Sequence, residues 1–273
     1  MMRSLLYVPA HSERFIAKAH ERGADAIILD LEDAVPEASK DAARDGLPDA
    51  VAAVRRNGAR VLVRVNAGER HREDALAACR AGADGLSVPK ARRADDFAAL
   101  ADVLAPVEAK AGRAPMGFIA VLEDPGALLD AARIAKGPRL MALSLGGEDF
   151  ALAMGGEPTP EVLRVPKLMV HYAAKAAGLL SLGLLRSVAD YTDLEGIKAA
   201  VAEARAHGFD GASCVHPAVV PLLNAGFSAS AEELDWAERV VARAAGGEGA
   251  FELDGKMVDA PVIARARTIL ARR

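Results

Sequence analysis

Short apolar runs alternate along this chain with longer stretches in which apolar residues recur at the spacing of an amphipathic helix. A short apolar run bounded by turn residues predicts a strand that is buried on both faces, as in a parallel sheet. We predict eight such strands, at residues 4–8, 26–30, 60–65, 85–88, 116–122, 140–145, 182–187 and 211–215.

Helical patterns separate these strands, at residues 12–22, 40–57, 73–81, 94–111, 126–135, 161–177 and 194–207. Strands that alternate with helices predict parallel βαβ units, and eight units favour an α/β fold closed as a (β/α)₈ TIM barrel. An open, doubly wound sheet is the alternative. The pattern Gly-x-Asp recurs at Gly23, Gly82 and Gly208, which indicates one kind of helix-to-strand loop used repeatedly.

The chain continues beyond the eighth predicted strand. We place the barrel at residues 1–225 and a C-terminal helical extension, part of the same domain, at 226–273. A helix is predicted at 231–245, and a last helix with a leading loop at 256–273. This tail exceeds what a barrel needs, which suggests a lid or a subunit contact.

Composition narrows the class of protein. Of 273 residues, 52% are hydrophobic but only 4% aromatic, so the core is built from aliphatic side chains. A net charge of −4 with no basic run argues against a nucleic-acid partner. Two distant cysteines indicate a reducing, cytoplasmic protein. We expect no signal peptide, and no apolar run is long enough for a membrane span.

Charged side chains follow most of the predicted strands, at the end where barrel enzymes carry their active sites. They are Asp30, Glu32, Asp33, Arg64, Lys90, Glu123, Glu148, Asp149 and Arg186. Carboxylates without a cluster of His or Cys favour Mg²⁺ over Zn²⁺. Glu123 and Asp149 follow adjacent strands and can meet one ion. Glu32 and Asp33 act either through water at the metal or as caps of the following helix.

The other polar residues allow more than one interpretation. Arg64 either binds a substrate carboxylate or forms a salt bridge inside the barrel with Asp30 or Glu32. Lys90 could form a Schiff base, although the acidic pair offers a metal-assisted alternative. We expect His216 to hold its loop. Gly146 and Gly147 permit close approach to a ligand or form an ordinary turn.

Several stretches resemble the citrate lyase β-subunit family, within the HpcH/HpaI aldolase and malyl-CoA lyase superfamily. They are RSLLYVP at 3–9, DLEDAV at 30–35, VRVN at 63–66, VPK at 88–90, GED at 147–149, HP at 216–217 and DGKMVDAP at 254–261. The resemblance covers nearly the whole chain. It implies a TIM barrel, Mg²⁺, and reversible Claisen-type cleavage of an acyl thioester.

The resemblance also implies roles for individual residues. Glu123 and Asp149 correspond to the metal ligands, and Glu123 and Gly147 also belong to the substrate site. Arg64 binds the substrate carboxylate and steadies developing negative charge, while Arg14 and Lys18 contact the thioester carrier. Asp259 corresponds to an acid on a C-terminal lid, often presented to a neighbouring subunit. The catalytic candidates are therefore Arg64, Asp259 and Glu32.

These assignments predict a Mg²⁺-dependent oxo-acid lyase that acts on a 3-hydroxy-3-carboxy acyl-CoA thioester such as malyl-CoA or citramalyl-CoA. The products are a 2-oxo acid and an acyl-CoA. The segment 181–193 is more similar to stand-alone relatives than to a citrate lyase subunit, which favours free CoA. Alternatives are a malate-synthase-like or thioesterase activity, an aldolase on free 2-oxo acids, and a citryl-thioester lyase subunit. A shared lid implies a homo-oligomer, a trimer or hexamer.

Overall fold

Eight parallel strands form the centre of the computed structural model, which describes residues 2–247 and 249–271. In chain order, β1 to β8 are Ser4–Pro9, Ala26–Asp30, Arg60–Arg64, Gly85–Val88, Gly117–Leu122, Leu140–Leu145, Leu180–Leu182 and Ala212–Cys214. The strands pair in the order β7-β6-β5-β4-β3-β2-β1-β8. A single parallel bridge between Leu182 and Gly211 joins β7 to β8 and closes the sheet. The TIM-barrel prediction is therefore confirmed.

Helices surround the strands and cover the outer face of the barrel. In chain order, α1 to α13 are Glu13–Ala19, Lys40–Asp45, Leu47–Val54, His71–Arg80, Ala94–Lys110, Pro125–Leu129, Ala131–Ile134, Gly147–Met154, Pro160–Ala176, Leu194–His207, Val220–Phe227, Ala231–Ala245 and Ala260–Leu270. No helix of the described residues is both long and apolar enough to cross a bilayer.

Strand residues alternate between two apolar layers, as the two-residue period of a strand requires. On β1, Leu5 and Tyr7 pack inside the barrel, whereas Leu6 and Val8 pack against the surrounding helices. The apolar inner layer is small and, among the described residues, consists of aliphatic side chains with Met2, Met141 and one tyrosine. This alternation decides which side chains of each strand can reach the barrel mouth.

The recurring Gly-x-Asp loop has a defined structural role at the base of the barrel. Asp25, Asp84 and Asp210 each accept a hydrogen bond from the backbone N–H at or beside the start of a neighbouring strand, at 2.7–2.8 Å. Each also forms an ion pair: Asp25 with Arg3, Asp84 with Arg55, and Asp210 with Lys175. The aspartate thereby satisfies a strand-end donor and fixes the register of adjacent strands.

Some predicted boundaries are wrong. The seventh strand is Leu180–Leu182 rather than 182–187, so Arg186 lies in a loop and not at a strand end. The predicted helix at 40–57 is two helices that meet at Gly46, followed by a 3₁₀ turn. The helix α8 follows β6 directly and was not predicted. The last helix begins at Ala260, and its predicted end at Arg272 and Arg273 lies outside the described residues.

The C-terminal extension packs as a unit with its own apolar cluster. It contains α12, α13 and a two-stranded hairpin, β9 (Phe251–Leu253) and β10 (Lys256–Val258). Arg205, in the last turn of α10, donates to Glu233 of α12 at 2.6 Å. Because α10 runs antiparallel to the strands, its last turn lies beside their N-terminal ends. The extension therefore attaches near the base of the barrel, away from the mouth.

Candidate active site

Arg64 is held at the barrel mouth by two aspartates. It lies at the end of β3, and its Nε and Nη2 donate to Asp30 at 2.7 and 2.6 Å. Nη1 donates to Asp33 at 3.0 Å. Burial alone would lower the pKa of Arg64, but the hydrogen bonds and charge of Asp30 raise it above its ordinary value. The guanidinium is therefore a fixed cation, and the predicted salt bridge with Asp30 is present.

Glu32 and Lys90 form the next ion pair of the mouth. Lys90 Nζ donates to Glu32 Oε1 at 2.8 Å, and the Glu32 carboxylate is almost fully buried. Glu32 Oε2 has no hydrogen-bond partner among the described residues and lies 3.2 Å from Arg64 Nη1. Burial raises the pKa of Glu32. Hydrogen bonding to Glu32 raises the pKa of Lys90, which keeps this amine protonated and disfavours a Schiff base.

Glu123 lies directly after β5 and is buried against the backbone of two neighbouring loops. Lys90 adopts a left-handed conformation, with φ of 52°, and its backbone N–H donates to Glu123 Oε2 at 3.2 Å. Gly146 lies so close that a Cβ atom there would be 2.7 Å from Glu123 Cγ. Burial, followed by the charges of Glu32 and Asp149, raises the pKa of Glu123 to about 8.

The donor set at this mouth fits a hard divalent cation. Glu123 and Asp149 supply two carboxylates, and Glu32 Oε2 is buried without a hydrogen bond among the described residues. The pKa of Glu123 is raised by burial and, after it, by the negative charges of Glu32 and Asp149. No group of three or more His, Cys, Asp or Glu in the described chain has the geometry of a closed metal site. Mg²⁺ commonly takes one or two carboxylates and completes its shell with water and substrate oxygens.

A second feature is a pocket that opens beside the mouth, between α1 and the ends of β1 and β8. We call it the carrier pocket, because it is lined by Arg14 and Lys18, the residues predicted to contact the thioester carrier. It has a volume of about 340 Å³, and its lining includes Tyr7, Arg14, Phe15, Lys18 and His216. The guanidinium carbon of Arg14 lies 5.9 Å from the centroid of the Phe15 ring. Neither Arg14 nor Lys18 forms an ion pair with another described residue. Two cations without carboxylate partners beside an apolar wall suit a phosphorylated ligand with an apolar arm.

His216 and Gly147 have structural roles in the loops of the mouth. His216 Nδ1 accepts from the backbone N–H of Ala218 at 3.2 Å, and its ring stacks on Tyr191 with centroids 4.9 Å apart. A Cβ atom on Gly147 would lie 2.9 Å from Leu163, so this glycine permits the packing of α8 against α9. Glu148, by contrast, is exposed and accepts a hydrogen bond from the Ser187 hydroxyl.

Asp259 is not brought to the mouth of its own barrel. Its Oδ1 caps α13 by accepting from Val262 N at 3.4 Å, and it belongs to the extension attached near the base. No hydrogen bond or ion pair joins it to Arg64, Glu32 or Glu123 in the described chain. Asp259 was predicted to act with Arg64 and Glu32 only because residues 254–261 resemble the family.

Sequence reasoning missed two polar side chains of the interior, the partly buried Tyr7 and the buried Lys167. Tyr7 lies inside the barrel with its ring 5.0 Å from the Arg64 guanidinium carbon. Its position two residues after Leu5 would have placed it on the inner face. Lys167 of α9 is 4% exposed and forms no hydrogen bond or ion pair in the described chain. Its spacing of four from Leu163 and from His171 marks the buried face of that helix.

Comparison with known proteins identifies relatives over the whole chain. Residues 3–217 match the family model described as HpcH/HpaI aldolase/citrate lyase. The chain is 34% identical to citrate lyase subunit beta of Escherichia coli, over 99% of this chain and 92% of that protein. It is 35% identical to a (3S)-malyl-CoA thioesterase of Cereibacter sphaeroides, over 99% of this chain and 94% of that protein.

A solved structure shares the fold as well as the sequence. It is that of the protein CitE from Mycobacterium tuberculosis in complex with magnesium, acetoacetate and coenzyme A. The two chains superpose with a TM-score of 0.79 and 32% sequence identity, covering 98% of this chain and 97% of that one.

Proposed function

Because this chain belongs to the HpcH/HpaI aldolase/citrate lyase family, we propose that it is a Mg²⁺-dependent lyase that cleaves or forms a carbon–carbon bond in a 3-hydroxy-3-carboxy acyl-CoA thioester. Cleavage gives a 2-oxo acid and an acyl-CoA, and we expect malyl-CoA or citramalyl-CoA as substrate. The observation that carries the proposal is the junction of an acidic mouth around Glu123 with a pocket that presents Arg14 and Lys18.

The charges of the mouth support a divalent cation. Its carboxylates are Asp30, Glu32, Asp33, Glu123 and Asp149, and its cations are Arg64 and Lys90. Carboxylates therefore outnumber cations, and bound Mg²⁺ would offset the excess. Glu123 and Asp149 would hold the ion, which would supply Lewis-acid polarisation of the 2-hydroxy acid oxygens of the substrate. The complex of the related protein CitE with magnesium, acetoacetate and coenzyme A supports this assignment.

The chain's own groups supply the proton transfer and the orientation. Glu32 Oε2 accepts no hydrogen bond from the described residues, and burial raises the pKa of Glu32, so this oxygen is suited to take the proton of the substrate hydroxyl. Arg64 is fixed by Asp30 and orients the substrate carboxylate. As the C2–C3 bond breaks, its electron pair moves to the thioester enolate. Asp259 of a neighbouring subunit then protonates C2.

The test is an assay with malyl-CoA and citramalyl-CoA, with and without Mg²⁺, that follows release of the 2-oxo acid. We expect Mg²⁺-dependent release, and a loss of at least about 100-fold in kcat/KM for Glu123→Gln and Asp149→Asn. Asp102→Asn is the matched control, since Asp102 is exposed on α5 and forms no ion pair in the described chain. Full activity of Glu123→Gln, or activity resistant to EDTA, would contradict the proposal.

Thioester hydrolysis is a second candidate, because a relative of similar identity is a (3S)-malyl-CoA thioesterase. The same assay separates the two reactions, since hydrolysis releases free malate and CoA instead of a 2-oxo acid. An aldolase on free 2-oxo acids has no use for the carrier pocket. Activity on the free acid that equals activity on the thioester would favour that alternative, and activity only on a carrier-bound citryl thioester would favour a citrate lyase subunit.

A further inference from the structure

Tyr7 lies where the carrier pocket meets the charged mouth. It is one of the residues that line the pocket, together with Arg14 and Lys18. Its ring also packs inside the barrel and stacks against the Arg64 guanidinium, 5.0 Å from the ring centroid. A thioester whose carrier occupies the pocket and whose hydroxy acid occupies the metal site must therefore pass Tyr7.

Arg64 alone is poorly suited to balance the charge that develops on the thioester side. All three of its guanidinium nitrogens already donate to Asp30 or Asp33. Its positive charge is thus largely compensated before any substrate binds. The side of the mouth nearest the carrier pocket needs a further hydrogen-bond donor, since the enolate oxygen forms there rather than at Glu123.

The phenol of Tyr7 has the chemistry of such a donor. Burial raises the pKa of Tyr7, although the nearby Arg64 cation counteracts this effect, so the hydroxyl keeps its proton. A neutral phenol can donate one hydrogen bond to an oxyanion without itself carrying charge. Ser87, a buried hydroxyl on β4, lies beside it and adds a polar neighbour on the inner face of the barrel.

We propose that the Tyr7 hydroxyl is a catalytic group that donates a hydrogen bond to the thioester oxygen of the substrate. The inference rests on the lyase function proposed above. When the C2–C3 bond breaks, its electron pair becomes the enolate of the acyl thioester, with the negative charge on that oxygen. Tyr7 stabilises this oxygen and keeps its own proton, while C2 receives a proton from a separate acid. A donor aimed at developing charge acts mainly in the transition state.

The experiment is Tyr7→Phe, which removes the hydroxyl and keeps the ring against Arg64. With the thioester that the wild-type enzyme cleaves best, we expect kcat to fall about 100-fold and KM to change little. Mg²⁺ affinity and thermal stability should stay close to those of the wild type. Tyr172→Phe is the matched control, because Tyr172 is 59% exposed on the outside of α9.

A second measurement isolates the step in question. Exchange of the C2 protons of the product acyl-CoA with deuterium, followed by NMR, reports enolate formation without C–C bond cleavage, and it should fall in parallel with kcat. A kcat within threefold of the wild type, or a rise in KM alone, would overturn the role of Tyr7 and leave the lyase function standing. No turnover by the wild-type enzyme on any acyl-CoA thioester would overturn both.

Discussion

At the scale of single residues, the position of Glu123 depends on the missing side chain of Gly146. A Cβ atom at residue 146 would lie 2.7 Å from Cγ and 3.1 Å from Oε1 of Glu123. Gly146 has φ of −76° and ψ of 96°, which any residue can adopt, so alanine is excluded by contact and not by backbone strain.

We therefore expect Gly146→Ala to displace the Glu123 carboxylate while the barrel stays folded. Mg²⁺ affinity should weaken at least about tenfold, and kcat/KM should fall further, because a metal ligand tolerates little misplacement. Isothermal titration with Mg²⁺ and steady-state kinetics measure the two effects. Gly156→Ala is the control, since nothing lies within 4 Å of a Cβ atom there. Equal Mg²⁺ affinity in the two variants would contradict the assignment.

Lys167 is a buried lysine whose surroundings do not favour its charged form. Its amine is buried, and among the described residues Glu148 is the carboxylate whose charge favours the protonated form. Burial lowers the pKa of Lys167 to about 8. Below that pH the folded protein holds a poorly compensated ammonium ion, whereas the unfolded chain holds a solvated one. This destabilisation is complete below pH 8 and disappears as pH rises through the ordinary lysine pKa.

Lys167→Met should consequently stabilise the protein near pH 7, by roughly 3 kcal/mol in the free energy of unfolding. The gain should shrink between pH 8 and pH 10.5, where the wild-type amine is neutral in the folded state but still protonated in the unfolded chain. Urea unfolding followed by circular dichroism across this range tests the prediction. Lys198→Met, on the exposed side of α10, is the control. A gain that does not change with pH would show that packing, and not charge, is responsible.

At the scale of secondary-structure elements, the least extensively paired part of the described barrel is the seam between β7 and β8. The two strands share one bridge, supported by backbone hydrogen bonds from Asp210 to Ser181 and from Gly183 to Gly211, both 2.9 Å. On its other side, Gly211 packs against the first residues of the chain. A Cβ atom there would lie 1.9 Å from the carbonyl oxygen of Met2.

Gly211→Ala should therefore open the seam. Because the clash is with backbone, we expect a loss of about 3 kcal/mol or more in the free energy of unfolding, together with poor recovery of folded protein. Urea unfolding of the variant beside Gly156→Ala measures the loss. An unchanged unfolding midpoint would mean that closure does not depend on close approach of β8 to the N-terminal residues.

The sequence predicted most strands because their apolar runs are short and bounded by helices and glycines. It placed β7 too late because Leu184 and Leu185 prolong the apolar run after Leu182, although they pack in the outer layer as a loop. It joined α2 and α3 because helical spacing continues across Gly46. The hairpin β9–β10 is too short for its period to stand out.

The site was predictable to the extent that it follows strand ends. Asp30, Arg64 and Glu123 come together because parallel strands end at one mouth. Which acids pair with Arg64 was not predictable, since the sequence left Asp30 and Glu32 open and the structure has Arg64 in ion pairs with Asp30, Glu32 and Asp33. The separation of Asp259 from the mouth depends on how the extension packs, and no local pattern records that arrangement.

At the scale of the whole molecule, the extension cannot complete the mouth of its own barrel in this arrangement. If Asp259 is the acid, it must come from a neighbouring copy, as the resemblance implies. The active site is then shared, and an isolated subunit lacks one catalytic group. In that case catalysis, and not only stability, requires a homo-oligomer.

Mixing two inactive variants tests this arrangement. Glu123→Gln and Asp259→Asn should each be inactive alone. Co-expressed in equal amounts, they should regain about one quarter of wild-type activity. With random mixing, about half of the metal sites are intact, and about half of those have a neighbouring subunit with an intact Asp259. The readout is 2-oxo acid release by co-purified protein. Absence of recovery in confirmed mixed oligomers would mean that both residues act within one chain.

The extension also holds the chain's single tryptophan. Trp236 lies on α12, and the Arg265 guanidinium of α13 stacks on it, 4.9 Å from the ring centroid. The indole is therefore an intrinsic fluorophore of the extension and is absent from the barrel. Its emission reports the solvation of that one unit, so ligand-induced movement of the extension is observable optically in the native protein without any label.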